Sequence, residues 1–364
     1  MSMTVKAAVL PETGSTPRIA EITLPEPGPG QVRVRLDAAG VCHSDLSLAA
    51  GKLAQPVPAV LGHEGVGRVV ATGPGVDKVT VGTQVVFNWA PACRECWFCE
   101  HGEPYLCTRA LEPSQRGYAT LTEDGSTVFP SLGTGAFAEE TIVGANAVVP
   151  LPEGLEAHTA ALLGCALLTG VGAVRNSAQV GTGESVAVLG LGGVGLATLQ
   201  GARLAGAAPI IAVDIAAEKE ALARRLGATH FLTASDNLSK EIRRLTEGRG
   251  VDHAFEVVGS AKTIRQSWSM TRRGGTTTVV GAGAGDDMVT LSALEIFHMA
   301  RTLRGCMYGS CDPDRDIPML AQHVRTGAVD LDALVTHEIA LDEVPAAFER
   351  MREGQGVRSL IRFT

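Results

Sequence analysis

The stretch Val186-Ala187-Val188-Leu189-Gly190-Leu191-Gly192-Gly193-Val194-Gly195 decides the fold. Its four apolar residues read as a buried strand, and Gly-x-Gly-x-x-Gly then opens a helix expected over residues 194–204. Glycine at these positions permits a tight turn and the close approach of a pyrophosphate, whose charge meets the free N–H groups of a helix start. Such a pattern alone is also a glycine-rich turn of any α/β protein. Its context makes it a dinucleotide site: a strand precedes it, a helix follows it, and the next strand ends in Asp214 at the spacing of the fingerprint. The expected coenzyme residues are Gly190, Gly192, Gly193, Val194, Gly195 and Asp214. Asp214 would accept the adenosine ribose hydroxyls, and also suits a strand end that caps the following helix. Its charge would repel the additional phosphate of NADP by roughly 4 kcal/mol at about 4 Å and an effective dielectric near 20, so NAD is the expected coenzyme.

Outward from this motif, strand and helix alternate from about residue 167. Strands are expected at 185–189, 210–213, 230–232, 254–258 and 276–280, with helices between them, for example at 218–226 and 239–246, which describes a doubly wound parallel sheet. Up to about residue 146 the pattern is different: short alternating strands with Gly/Pro turns, as in Gln31-Val32-Arg33-Val34-Arg35-Leu36-Asp37, where Val32, Val34 and Leu36 share a face. That is an antiparallel, barrel-like β domain. Beyond about residue 308, helices at 317–325 and 344–351 and a strand at 359–363 break the α/β rhythm, so the C-terminus is expected to rejoin the first domain. The fold class is therefore α/β plus β, with one domain from 1–166 and 308–364 and a Rossmann domain at 167–307.

A formal net charge of -8 offers no basic surface for nucleic acid or an anionic membrane. The start of the chain lacks the pattern of a signal peptide, so a cytoplasmic location is expected. The apolar stretches 155–174 and 186–205 do not read as membrane spans, because Glu156 and His158 interrupt the first and four glycines precede Leu196 in the second.

With no export signal, eight cysteines point to metal binding or catalysis before disulfides. Cys93, Cys96, Cys99 and Cys107 can enclose one tetrahedral ion with four thiolates, which leaves no position for a substrate and marks a structural zinc. A ferredoxin-type cluster wants a shorter last gap followed by proline, whereas Thr108 follows here. Three further fragments remain: Cys42-His43-Ser44-Asp45, Gly62-His63-Glu64 and Gly164-Cys165. Singly, a buried cysteine is a small apolar side chain and a lone histidine an ordinary core or surface residue. Together, two cysteines and a histidine hold a zinc with one coordination position open to substrate.

In this order and at these separations the pieces resemble the zinc-dependent medium-chain alcohol dehydrogenase family, in its long, dimer-type form, over essentially the full chain. The Cys2His ligand set is the one known for that family, so the assignment is a match to an example and not a derivation from spacing. The resemblance implies a GroES-like β-barrel catalytic domain and a Rossmann domain, with two zinc ions and NAD. It implies that Cys42, His63 and Cys165 bind the catalytic zinc, flanked by Asp45 and Glu64, and that Cys93, Cys96, Cys99 and Cys107 bind the structural one. It places Lys219 by the adenosine ribose, His43 and Arg358 near the pyrophosphate, Trp89 in the substrate pocket and Ser44 in a proton relay. Without the resemblance, Lys219, His43 and Arg358 read as solvated surface residues, Ser44 as an N-cap, Asp45 as an acid favourable at a helix start, and Trp89 as a core aromatic.

The implied activity is reversible hydride transfer between a primary alcohol, allylic and aryl ones included, and NAD. One departure concerns the relay: Ser47 stands where many relatives have a histidine, which redirects the proton exit to His43 or water. Glutathione-dependent formaldehyde dehydrogenases resemble this chain too, but Gly51-Lys52-Leu53-Ala54-Gln55 lacks their acidic pair and Leu111 stands where they carry an arginine. A thiol-adduct substrate is therefore the alternative, another low-molecular-weight thiol included. The long segment 108–134 resembles dimeric members, so a homodimer is expected. A non-catalytic NAD- or zinc-binding protein would have no use for Cys42, His63, Cys165 and an adjacent serine, and a zinc-free quinone reductase relative would lack the ligand set.

Overall fold

The computed structural model describes residues 2–156 and 160–363; His158 of the first apolar stretch lies outside them. The chain divides into two compact units, Met1–Cys165 with Asp312–Thr364, and Ala166–Cys311.

The first unit is β-rich. Met3–Leu10, Arg18–Leu24, Ala119–Leu121, Thr127–Pro130 and Ala59–Val60 close into a small barrel. Beside it runs a larger sheet whose central member, Gln31–Val41, pairs antiparallel with Glu64–Thr72, Glu140–Gly144 and Arg358–Arg362. The alternation read from sequence holds: Val32, Val34 and Leu36 are buried, in a core with Phe87, Phe137 and Phe348. Burying a side chain of that size contributes about 1.5–3 kcal/mol, so this face fixes the register of the sheet. The C-terminal strand pairs Ser359 with Val41, which brings Arg358 beside Cys42.

The second unit carries a parallel six-stranded sheet among the described residues. Its order is His230–Thr233, Ile210–Asp214, Val186–Leu189, Val251–Glu256, Thr271–Val279, Thr302–Gly305. Ala187, Leu189, Ile211, Val213 and Ala254 pack on Leu238 and Ile242 of the helix Leu238–Leu245. Sequence reading starts the fourth and fifth strands late, because Val251-Asp252-His253 and Arg272-Arg273-Gly274-Gly275 interrupt the apolar run. It also misses the short polar edge strand Thr302–Gly305 and the helix Ala293–Met299 before it, and it gives no bounds for the helix Ala261–Met270. Among the described residues, no helix is long and apolar enough to cross a membrane.

Candidate functional site

Cys42 is the N-cap of the helix His43–Ala49, and Asp45 is its third residue. This capping geometry turns Asp45 back on the chain. Its Oδ2 accepts the Cys42 N–H at 2.9 Å, while Oδ1 accepts the Gly62 N–H at 3.2 Å and sits 2.9 Å from His63 Nδ1. With Nδ1 engaged, the other ring nitrogen, Nε2, is buried with no hydrogen-bond partner. Ligand atoms of Cys42, His63, Glu64 and Cys165 all lie within 4.8 Å of one another, and every one of these residues is buried. Two sulfurs and an orphaned imidazole nitrogen in one buried spot are a donor set suited to zinc.

Electrostatics agree with that fit. Hydrogen bonding from Cys165, helped by the charge of Arg358 and by His63, holds the Cys42 thiol well below its ordinary value despite burial, and thiolate is the metal-binding form. Burial pushes the Glu64 carboxyl up, to about 7, against the pull of Arg358. Arg358 is itself buried, with Nη2 donating to Glu64 Oε1 at 2.8 Å and to Cys42 Sγ at 3.3 Å. Its described contacts thus lie with Val41, Cys42 and Glu64, a placement that no local sequence signal carries. Ser44 Oγ lies 3.7 Å from Cys42 Sγ, next to the site. Trp89 meets the His63 ring edge-on, with centroids 6.2 Å apart. His43 is exposed at the helix start.

The four-cysteine lobe is separate from this centre. Its sulfurs also lie within 4.8 Å of one another. The Cys93 N–H donates to Cys107 Sγ and the Cys96 N–H to Cys93 Sγ, both at 3.3 Å, an arrangement that favours thiolates. Arg94, inside the first Cys-x-x-Cys, has φ +65° and makes a two-pronged bond to Asp312 at 2.7 Å plus one to Asp314 at 2.8 Å. This clamp joins the lobe to the start of the helix Pro313–Arg325 and was not read from sequence, since its partners are far apart in the chain.

The glycine motif lies in the second unit. Gly190 has φ +97°, and a Cβ on Gly195 would stand 1.9 Å from Gly190 O, so no larger residue fits there. At Gly192, the N-cap of the helix Gly193–Leu204, a Cβ would meet only open space, which leaves the helix start accessible to a ligand. Asp214 closes the loop from the side: Oδ2 accepts the Leu191 N–H at 2.6 Å and Oδ1 the Ala216 N–H at 3.0 Å. Lys219 Nζ is 3.4 Å from the same carboxylate. An exposed glycine at a helix start with an adjoining carboxylate fits a dinucleotide.

Comparison with known proteins identifies the family. Residues 28–153 match the alcohol dehydrogenase GroES-like domain and residues 193–325 the zinc-binding dehydrogenase family. The chain is 36% identical to S-(hydroxymethyl)glutathione dehydrogenase of Escherichia coli O1:K1 over 99% of its own length and 100% of that protein's. In structure it is similar to an alcohol dehydrogenase zinc-binding domain protein from Burkholderia ambifaria (TM-score 0.94, 32% identity) and to benzyl alcohol dehydrogenase from Acinetobacter calcoaceticus (TM-score 0.92, 30% identity), each covering 100% of both chains. By these matches over nearly its whole length, the chain belongs to the zinc-dependent medium-chain alcohol dehydrogenase family, the NAD(P)-linked alcohol oxidoreductases.

Proposed function

We propose that this enzyme interconverts primary alcohols, aryl and allylic ones included, with their aldehydes, using NAD and working in the cytoplasm, where its cysteines stay reduced. The observation that carries the reading is the buried cluster of Cys42, His63 and Cys165 with its orphaned Nε2. Bound there, zinc supplies a Lewis acid that acidifies a hydroxyl, as it lowers water from 15.7 to about 7, and NAD supplies the hydride acceptor. Asp45 fixes the His63 tautomer so that Nε2 keeps its lone pair for the metal. Ser44, whose Oγ lies 3.7 Å from Cys42 Sγ, would take the hydroxyl proton and pass it on to His43 or water, since Ser47 ends the usual route. Trp89, edge-on to His63, narrows the pocket toward slim or flat substrates. Preference for NAD follows from the Asp214 carboxylate at the glycine loop.

A second reading, oxidation of a thiol–formaldehyde adduct, has the similarity to S-(hydroxymethyl)glutathione dehydrogenase in its favour. Against a glutathione adduct stand the uncharged Leu111 and the absence of a carboxylate in residues 51–55. An NADH absorbance screen separates the two: benzylic and allylic alcohols should support turnover that a chelator abolishes. NADH formation only from formaldehyde plus a thiol would favour the second reading, and none from any substrate would refute both.

We also propose a homodimer formed through the edge strand Thr302–Gly305. Its residues are exposed, and Leu294, Phe297 and Leu303 form apolar surface nearby at 72%, 82% and 43% exposure. An unpaired edge with apolar flanks is an aggregation hazard for a monomer, but can pair with its own copy across a two-fold axis. Light scattering should give twice the chain mass, falling to one chain mass in Leu303→Glu with Phe297→Glu. A monomeric wild type would refute it.

A further inference from the structure

Gly62 immediately precedes His63 and has φ +93°, a backbone conformation that favours glycine. The Phe137 ring enforces the choice, since a Cβ on Gly62 would lie 2.3 Å from its Cδ1. A glycine here solves a packing problem and creates a mechanical one. Without a side chain this residue is a freely turning pivot, and it carries the histidine of the buried cluster Cys42, His63 and Cys165.

Hydrogen bonds on both sides take that freedom away. Asp45 Oδ1 accepts the Gly62 N–H at 3.2 Å. The Gly62 carbonyl lies in the same planar peptide unit as the His63 nitrogen, and it accepts two bonds, from Ala136 N–H and from Thr134 Oγ1, both at 2.9 Å. The first is backbone pairing that any residue at 136 other than proline would supply. The second depends on one particular side chain, wholly buried. The other oxygen near that hydroxyl, Ser131 O at 3.3 Å, is the longer contact and already receives the N–H groups of Thr134 and Gly135.

Thr134 is itself held. Its carbonyl accepts Thr141 Oγ1 at 2.7 Å, and Thr141, also fully buried, lies on the strand Glu140–Gly144 opposite Val34 of the central strand. A line of hydrogen bonds therefore runs from the large sheet through Thr141 and Thr134 to the peptide that carries His63. The same turn contains Leu132 at φ +49°, a left-handed conformation that is costly for leucine and persists only where surrounding contacts over-determine it.

We propose that Thr134 is a positioning residue for the metal centre: its hydroxyl fixes the Gly62–His63 peptide, so that His63 Nε2 is held beside the Cys42 and Cys165 sulfurs. Asp45 fixes the imidazole ring, and Thr134 fixes the backbone behind it. The proposal rests on the zinc reading of this cluster. Its test uses the full enzyme loaded with zinc, following release of each ion to a chelator and, separately, unfolding in urea. Thr134→Val keeps the shape and loses the donor, whereas Thr134→Ser keeps the donor and loses a buried methyl group. Thr134→Val should release one ion about tenfold faster than the wild type, the low end of what removing an orienting partner costs, while the four-cysteine ion leaves at the wild-type rate. Thr134→Ser should be less stable in urea yet retain both ions as the wild type does, a separation that a merely structural role would not produce. Thr141→Val, which loosens Thr134 from one step back, should speed release of the same ion and keeps the test decisive if Thr134→Val does not fold. Wild-type release from both valine variants, equal acceleration for both ions, or release from Thr134→Ser as fast as from Thr134→Val overturns the proposal. A wild type that holds no zinc outside the four-cysteine lobe refutes the zinc reading itself, and the proposal with it.

Discussion

Asp45 Oδ1 lies 2.9 Å from His63 Nδ1, and the same carboxylate accepts the Cys42 N–H, so one side chain holds two candidate metal ligands from distant segments. Removing such an orienting partner commonly costs about 10- to 100-fold in metal affinity or activity. Asp45→Ala should therefore release one zinc early in a chelator competition while the four-cysteine zinc leaves at the wild-type rate. Equal retention of both ions would show that Asp45 does not position His63.

Arg358 and Glu64 form a buried ion pair, and breaking such a pair from one side leaves a charge uncompensated, at about 3–5 kcal/mol. Arg358→Met should lower stability in urea by that order, and adding Glu64→Gln should restore part of it. By contrast, Arg116→Ala, which breaks an exposed pair with Glu112, should change stability by no more than about 1 kcal/mol.

Asp214 bears on coenzyme choice and on the loop at once. Asp214→Gly removes the charge expected to repel a ribose phosphate, and also the acceptor for the Leu191 N–H. The ratio of kcat/KM with NADP to that with NAD should rise by about tenfold or more, as expected from losing a repulsion of several kcal/mol, while KM for NAD increases. An unchanged ratio would remove Asp214 from the coenzyme site.

Asp252 governs acid stability at the start of the fourth strand of the parallel sheet. Hydrogen bonds from Ser185 and the Arg272 guanidinium hold it at about 2, against the opposing effect of burial. A carboxyl lowered by folding stabilises the native state above its unfolded value near 3.9, and the gain disappears as pH falls toward 2. Wild type and Asp252→Asn should therefore differ in urea stability at pH 7, with the difference shrinking from about pH 4 and gone only below about pH 2; a difference independent of pH would contradict this assignment.

The legible parts of the sequence were those with short-range signatures. Gly190 to Gly195 sits between an apolar strand and a helix within a few residues, and the Cys93 to Cys107 spacing closes its own loop. Cys42, His63 and Cys165 were legible only as a set, through family resemblance, because their meeting depends on strands paired across the sheet. Arg358 shows the limit: its contact with Cys42 depends on the pairing of Ser359 with Val41, a long-range register that leaves no local period. Thr134 was invisible for a related reason, since a buried hydroxyl that reaches the Gly62 carbonyl reads in sequence like any solvated one. The clamp from Arg94 to Asp312 likewise joins residues that neither spacing nor composition connects.

The central claim is a zinc held by Cys42, His63 and Cys165 that is distinct from the four-cysteine ion. Metal content and turnover measured together, on wild type and Cys42→Ser, test it most directly. The wild type should carry about two zinc ions per chain, and the variant about one with no measurable alcohol oxidation. A variant that keeps both ions and its turnover, or an active wild type with only the four-cysteine zinc, would contradict the account.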